Sequence, residues 1–252
     1  QSFKPTIEFE DLTYNFVTDF EKFLYESGYQ TNTVAKHMKH LKSFVNAAIN
    51  KGYIDPNNYA FRRYKIKMKE GKHVFLLPEE MKKLEEVSLT GKNSCLEHTL
   101  DAFLFCCYTG LRYSDFVNLN EKNIVKIDGK LWLIFDSVKT GTEVKLPLNL
   151  LFEGKALTLL QKYQGKWSSF FLIKNNSSVN KELIRIGKLA KISKHFSFHS
   201  ARHTNATLLI YKGANITTVQ KLLGHKNLAT TQIYGEVMGS TIIRDLKKCQ
   251  KR

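Results

Sequence analysis

Two arginines, two histidines and a tyrosine stand in short, separated motifs. They are Thr109-Gly-Leu-Arg112-Tyr-Ser-Asp115, His199-Ser-Ala-Arg202, Leu222-Leu-Gly-His225 and Tyr234. Together these side chains have the chemistry to attack a phosphodiester without a metal. Guanidinium forks match the two non-bridging oxygens of a phosphate and stay charged at any working pH. Arg112 and Arg202, acting as a pair, would hold that phosphate and stabilise the extra charge of a pentavalent transition state. Imidazoles move or share protons near neutrality, and a phenol oxygen can become a covalent nucleophile. Taken singly, each residue has a plainer reading: a surface arginine, a capping histidine, a packed phenol. The chemistry requires all of them to converge once the chain folds.

The elements that must position them can be read from periodicity and breakers. Residues from about 11 to 51 read as two helices separated by Ser27-Gly28-Tyr29-Gln30. In the second, Val34, Met38, Leu41, Val45 and Ala48 share one apolar face, with Lys36, Lys39, His40 and Ser43 roughly opposite. That polar face suits a DNA backbone or simply solvent. A basic stretch, Arg62-Arg63-Tyr64-Lys65-Ile66-Lys67-Met68-Lys69, follows without a strong apolar period. It points to an interdomain linker. Leu77-Pro78-Glu79-Glu80 reads as a helix start. A helix from about Ser94 to Thr109 should end at Gly110, just before Arg112. Between Ile124 and Leu148 the period shortens to that of three strands, with turns at Asp128-Gly129 and Lys139-Thr-Gly-Thr142. The rest, to Tyr234, reads as helical, with breaks at 175–178, 212–214 and Gly224.

Composition narrows the partner. The 252 residues carry 39 Lys+Arg against 23 Asp+Glu, a net charge of +16. Up to Lys72 there are 12 basic and 8 acidic residues, and after it 27 and 15, so both parts are basic. An excess of this size suits a polyanion, because each neutralised phosphate releases counterions. The four cysteines form no C-x-x-C pair, and Cys106-Cys107 lie in an apolar run, as expected of reduced, buried thiols in a cytosolic protein. No signal peptide or membrane-length apolar run is present. The chain begins at Gln1 rather than Met, which reads as a fragment or processed form with an N-terminal module missing. His195, His199 and His203 recur at four-residue steps, a spacing that can bind zinc on a helix. No Glu in an H-E-x-x-H arrangement accompanies them, so no metal is expected and His203 reads as a packed residue or one that supports the site residues from behind.

With these motifs in this order, the chain resembles the tyrosine recombinase (phage-integrase) family, and especially integrases of Bacteroidetes mobile elements. The resemblance runs through Arg112, Lys139, His199, Arg202, His225 and Tyr234. Asp115 departs from it, standing where many relatives carry Glu; a shorter carboxylate can still orient a neighbour. The resemblance selects Tyr234 from 11 tyrosines by its spacing from the Gly-His pair. It also assigns Lys139, at a hairpin tip, as the general acid that protonates the departing 5′ oxygen; Lys145 is the lesser substitute. His199 would take acid–base work and His225 phosphate binding.

The resemblance further implies a mainly α fold with a small antiparallel β-sheet. A helical, SAM-like core-binding domain (1–68) would be joined by a linker (69–74) to a catalytic domain (75–252). Its C-terminal segment, with the apolar stripe Ile242, Ile243 and Leu246, would pack on a neighbouring subunit. Lys36, Lys39, His40, Lys65 and Lys67 are the expected DNA contacts. The implied partners are double-stranded DNA, a homotetramer on paired sites formed from a monomer in solution, and a DNA-bending accessory protein. The implied location is the bacterial cytoplasm, on the nucleoid during recombination. No phosphate loop of the form G-x-x-x-x-G-K-S/T appears, and no cofactor is expected. The expected activity is cutting and rejoining DNA through a 3′-phosphotyrosine, integrating or excising a mobile element. Two rivals are a helix-turn-helix regulator built on Ile216–Leu228 and a type IB topoisomerase.

Overall fold

A computed structural model describes residues 3–69, 71 and 73–234, and the chain divides into two compact units, Gln1–Lys72 and His73–Arg252. The C-terminal stripe at Ile242, Ile243 and Leu246, like Cys249, lies outside the described residues.

The first unit is built on helices α1 (Tyr14–Glu26) and α2 (Thr31–Asn50). Thr13 caps α1 by accepting from the Phe16 amide, and Gly28, at φ +84°, turns the chain before α2. The apolar face of α2 buries Val34, Ala35, Met38, Val45 and Ala48 against Val17, Leu24, Ile54 and Phe61, while Leu41 is only half-buried. The basic stretch is not a free linker throughout. Tyr64 and Ile66 pack on this core while Lys65 and Lys67 point out, an alternation typical of an extended segment. The Asn32 amide closes the arrangement, donating to the Lys69 carbonyl and accepting from its N–H, both at 2.9 Å.

The second unit wraps helices around α4. After α3 (Pro78–Glu85), whose Glu80 accepts from the Leu77 amide, comes α4 (Glu97–Thr109), buried from Thr99 onward. A helix apolar on all sides belongs at the centre of a unit, and α4 packs against α3 and the later helices α6–α9. Gly110, at φ +74°, ends it in a left-handed turn that leads to the short α5 (Tyr113–Phe116).

Strands β1 (Ile124–Ile127), β2 (Lys130–Asp136) and β3 (Glu143–Pro147) form an antiparallel sheet in that order. Asp128 and Gly129 both have positive φ, the type I′ geometry that matches strand twist. Leu133, Phe135, Val144 and Leu146 bury one face of the sheet. Then follow α6 (Lys155–Lys162), α7 (Trp167–Phe171), α8 (Asn176–Leu189), α9 (Phe198–Tyr211), α10 (Ile216–Leu223) and α11 (Ala229–Gln232). The expected break at 175–178 is instead the start of α8, with Asn175 as its cap, and an unpredicted break precedes α9. Phe103, Phe105, Phe116, Phe170, Phe171 and Phe198 fill the core with mainly edge-on and tilted ring contacts. Among the described residues, no helix is long and apolar enough to cross a membrane. The mainly α fold with a small antiparallel sheet is as the sequence led us to expect.

Candidate active site

The site assembles where three breaks in regular structure meet: the loop after α4, the β2–β3 turn and the end of α10. Arg202 ties two of them together. It projects from α9, is 3% exposed, and donates to the Gly110 carbonyl at 2.7 Å and to the Leu223 carbonyl at 2.5 Å. The close approach is possible because both turns use glycine. A Cβ on Gly110 would meet Leu223 at 2.6 Å and Asn205 at 2.8 Å, and one on Gly224 would meet Val144 at 2.7 Å.

Arg112 precedes α5 and donates to the Ser137 hydroxyl at 3.0 Å, with Asp115 3.5 Å away. The buried Asp115 carboxylate also accepts from the Val138 amide at 3.0 Å and from Ser137. The shorter acid therefore orients Arg112 and at the same time grips the turn that carries Lys139. On the far side of that turn, the Thr140 hydroxyl donates to the Gly224 carbonyl. Lys139 stands exposed at the apex. Lys145, its substitute in the sequence reading, lies within β3 and pairs with Glu143.

His199 and His203 lie one turn apart on α9, their rings edge to face at 4.6 Å. His199 keeps one side open to solvent while the other lies against the site, and that partial burial, then Arg202, Arg112, Lys139 and His73, pull its pKa down. His225, just beyond Gly224, bonds through Nδ1 to the Thr231 hydroxyl at 2.9 Å. Burial, Arg202 and Arg112 bring it down to about 4. Burial also pulls Arg202 down to about 9, with Arg112 adding to the effect, so it stays charged near neutrality. The six residues singled out from the sequence thus sit within one cationic region. Among the described residues, Asp115 is the one carboxylate that acts on them.

Tyr234 was expected on a polar stretch, yet it is only 4% exposed. Its ring packs with Ala206, Val219 and Leu223, because Tyr234, two residues beyond α11, lies against α9 and α10. The hydroxyl is its polar end, 3.0 Å from Nδ1 of His203. Burial raises the phenol pKa, and Arg202 and Arg112 oppose that rise.

Of the two expected readings of His203, packed or supporting the site, the contact with the Tyr234 hydroxyl matches the second. Ser137 and Thr231, which orient Arg112 and His225, carried no signal, since serine and threonine are common at any strand end or turn. His73 was missed as well; its ring lies 4.8 Å from that of His203 and 6.5 Å from that of Tyr234. In the first unit, Lys36, Lys39, His40, Lys65 and Lys67 are all exposed, with Lys39 against the Met68 sulfur at 2.9 Å and Phe44 bare nearby on α2.

An arrangement of this kind can bind a tetrahedral anion between two guanidiniums and present a phenol oxygen to it. Comparisons with known proteins give the family and the fold. Residues 74–239 match the phage integrase family, and residues 1–67 match the phage integrase SAM-like domain. The tyrosine recombinase XerC of Oceanobacillus iheyensis is 29% identical over 238 residues, covering 90% of this chain and 77% of that one. A solved structure of a lambda integrase (75–356) dimer bound to a COC′ core site has the same fold. Its TM-score is 0.73 at 19% identity, covering 92% of this chain and 82% of that one. The lambda integrase tetramer bound to a Holliday junction also gives 0.73, at 20% identity, covering 92% of this chain and 66% of that one.

Proposed function

The chain belongs to the phage integrase family and is a tyrosine-type site-specific recombinase, and we propose that Tyr234 is its nucleophile. The phenol oxygen attacks the scissile phosphorus, the bond to the 5′ oxygen breaks, and a 3′-phosphotyrosine and a free 5′-hydroxyl result. A second strand's 5′-hydroxyl reverses the step, and the conserved ester energy removes any need for ATP. Arg112 and Arg202 hold the non-bridging oxygens and stabilise the pentavalent transition state. Lys139 protonates the leaving oxygen, His225 adds a contact to phosphate, and His199 assists proton movement beside them.

One observation carries this reading: the Tyr234 hydroxyl meets His203, the residue next to Arg202 on α9, at 3.0 Å, and Arg202 and Arg112 oppose the effect of burial on its pKa. A phenol of pKa about 10 is only about one part in a thousand ionised at neutrality, so cations that favour the phenolate serve attack. A regulator that merely binds DNA has no use for that arrangement, and the relatives are recombinases rather than topoisomerases.

The substrate is double-stranded DNA, gripped by the exposed Lys36, Lys39, His40, Lys65 and Lys67 of the first unit as well as by the catalytic unit. We assign residues 1–68 and 75–252 to the core-binding and catalytic roles, and a homotetramer on paired sites as the working assembly. The lambda integrase tetramer on a Holliday junction supports that assembly by analogy of fold. Integration or excision of a mobile element in the bacterial cytoplasm, aided by a DNA-bending protein, completes the proposal.

The test is covalent capture. A pool of duplexes with a fixed nick and randomised flanks is incubated with the chain in EDTA, and SDS-resistant adducts are collected and sequenced. The expected result is adduct with the wild-type chain, none with Tyr234→Phe, and a common site among the captured DNAs. Adduct that persists in Tyr234→Phe refutes the assignment.

A further inference from the structure

We infer that His203 is a further catalytic residue, the group that takes the phenolic proton from Tyr234 as its oxygen attacks phosphorus. The inference rests on Tyr234 being the nucleophile. Its observation is direct: Nδ1 of His203 stands 3.0 Å from the Tyr234 hydroxyl, within hydrogen-bond reach of the atom that must lose a proton. His199, the residue first given acid–base work, meets the His203 ring at 4.6 Å.

The surroundings fit an acceptor. His203 is half-buried and faces His73, His199, Arg202, His225 and Tyr234, and among the described residues no carboxylate acts on it. Burial and those neighbours keep its ring neutral, down to about 4, so Nδ1 is free to accept when Nε2 carries the hydrogen. A neutral imidazole in a cationic pocket is a weak base until an anion arrives. A phosphodiester bound between Arg112 and Arg202 offsets the nearby positive charge and raises the proton affinity of His203. DNA binding thereby switches on the base that the attack needs.

The proton balance is closed. The phenolic O–H bond breaks as N–H forms at Nδ1 and O–P forms at phosphorus. The P–O5′ bond breaks as the leaving oxygen receives a proton from Lys139. In the return step, the incoming 5′-hydroxyl gives its proton to the now neutral Lys139 as its oxygen bonds to phosphorus, the bond to the phenol oxygen breaks, and His203 gives its proton back to that oxygen.

Nitrogen-15 NMR of the full chain, with histidine resonances assigned through the backbone, reads the tautomer without DNA. An unprotonated Nδ1 and a protonated Nε2 on His203 at neutral pH are expected; a protonated Nδ1 overturns the inference. Single-turnover adduct formation on the captured nicked duplex then tests the role. His203→Ala is expected to react about 100-fold more slowly, to recover partly with added imidazole, and to gain about tenfold in rate per pH unit as hydroxide replaces the base. A His203→Ala chain that reacts at the wild-type rate, or is slow with an unchanged pH profile and no imidazole rescue, overturns the inference alone. A wild-type chain that makes no Tyr234-dependent adduct overturns the nucleophile assignment first, and this inference with it.

Discussion

Substituting Gly224 by alanine separates backbone strain from crowding at the site. Gly224 sits at φ +63°, a left-handed conformation that costs an L-residue about 1–2 kcal/mol. Its new methyl would also lie 2.7 Å from Cγ2 of Val144, a buried, β-branched residue of β3 that has no free torsion to retreat along. Such overpacking costs about 1–3 kcal/mol. Against this, alanine restricts the unfolded chain by about 0.4–1 kcal/mol. The net for Gly224→Ala is a loss of roughly 2–4 kcal/mol.

Gly141 provides the control, since it has φ +61° but nothing within 4 Å of its would-be methyl. Gly141→Ala should therefore lose only about 1 kcal/mol or less. Trp132 and Trp167, the chain's two tryptophans, both lie in the second unit, so their fluorescence in urea reports that unit alone. The midpoint should fall several-fold further for Gly224→Ala than for Gly141→Ala, with similar slopes. Equal shifts in the two variants would refute the crowding argument, because strain alone would then account for both.

Other perturbations probe the same site. Asp115→Asn should weaken the hold on Arg112 and Val138, costing about 2 kcal/mol in urea unfolding and a larger share of the adduct-forming rate. His203 and His225 have folded-state pKa values near 4 against 6.5 in the unfolded chain. The unfolded state therefore binds more protons between those limits, and stability falls as pH drops from about 6.5 to about 4, by less than the pKa gap alone implies because solvent screens both partly exposed rings. Inorganic phosphate should lessen that loss, as midpoints measured across the pH range would record. Iodoacetamide should label the exposed Cys95 quickly and leave Cys106 and Cys107, buried and with raised pKa, unlabelled until the chain unfolds, as peptide mass mapping would show.

What the sequence disclosed was mostly local. Gly110 and Gly224 mark helix ends because their left-handed φ is needed within a few residues of the helix they close. Asp128-Gly129 announces its hairpin for the same reason, and Pro78 with Glu80 announces α3. What stayed hidden depends on long closures. Tyr234 meets His203 across 31 residues, and Asn32 binds Lys69 across 37. No periodicity encodes either. His199, Arg202 and His203 share one helix, yet Arg202 turns inward to two carbonyls while His203 meets the phenol; which of the three would do so depends on how α10 and α11 fold back. Ser137 was invisible because its partner, Arg112, is 25 residues away.

The Lys139 turn is moored on both flanks, by Asp115 at Val138 and by Gly224 at Thr140. Its backbone has little slack, so the travel of the ammonium is set by the side chain's own four methylenes. In the role proposed for Lys139, the reach of its proton toward the duplex is thus a matter of molecular length rather than loop motion. A residue one carbon shorter at that apex would fall short by about the length of one bond, on a scaffold unable to lean forward and make up the difference.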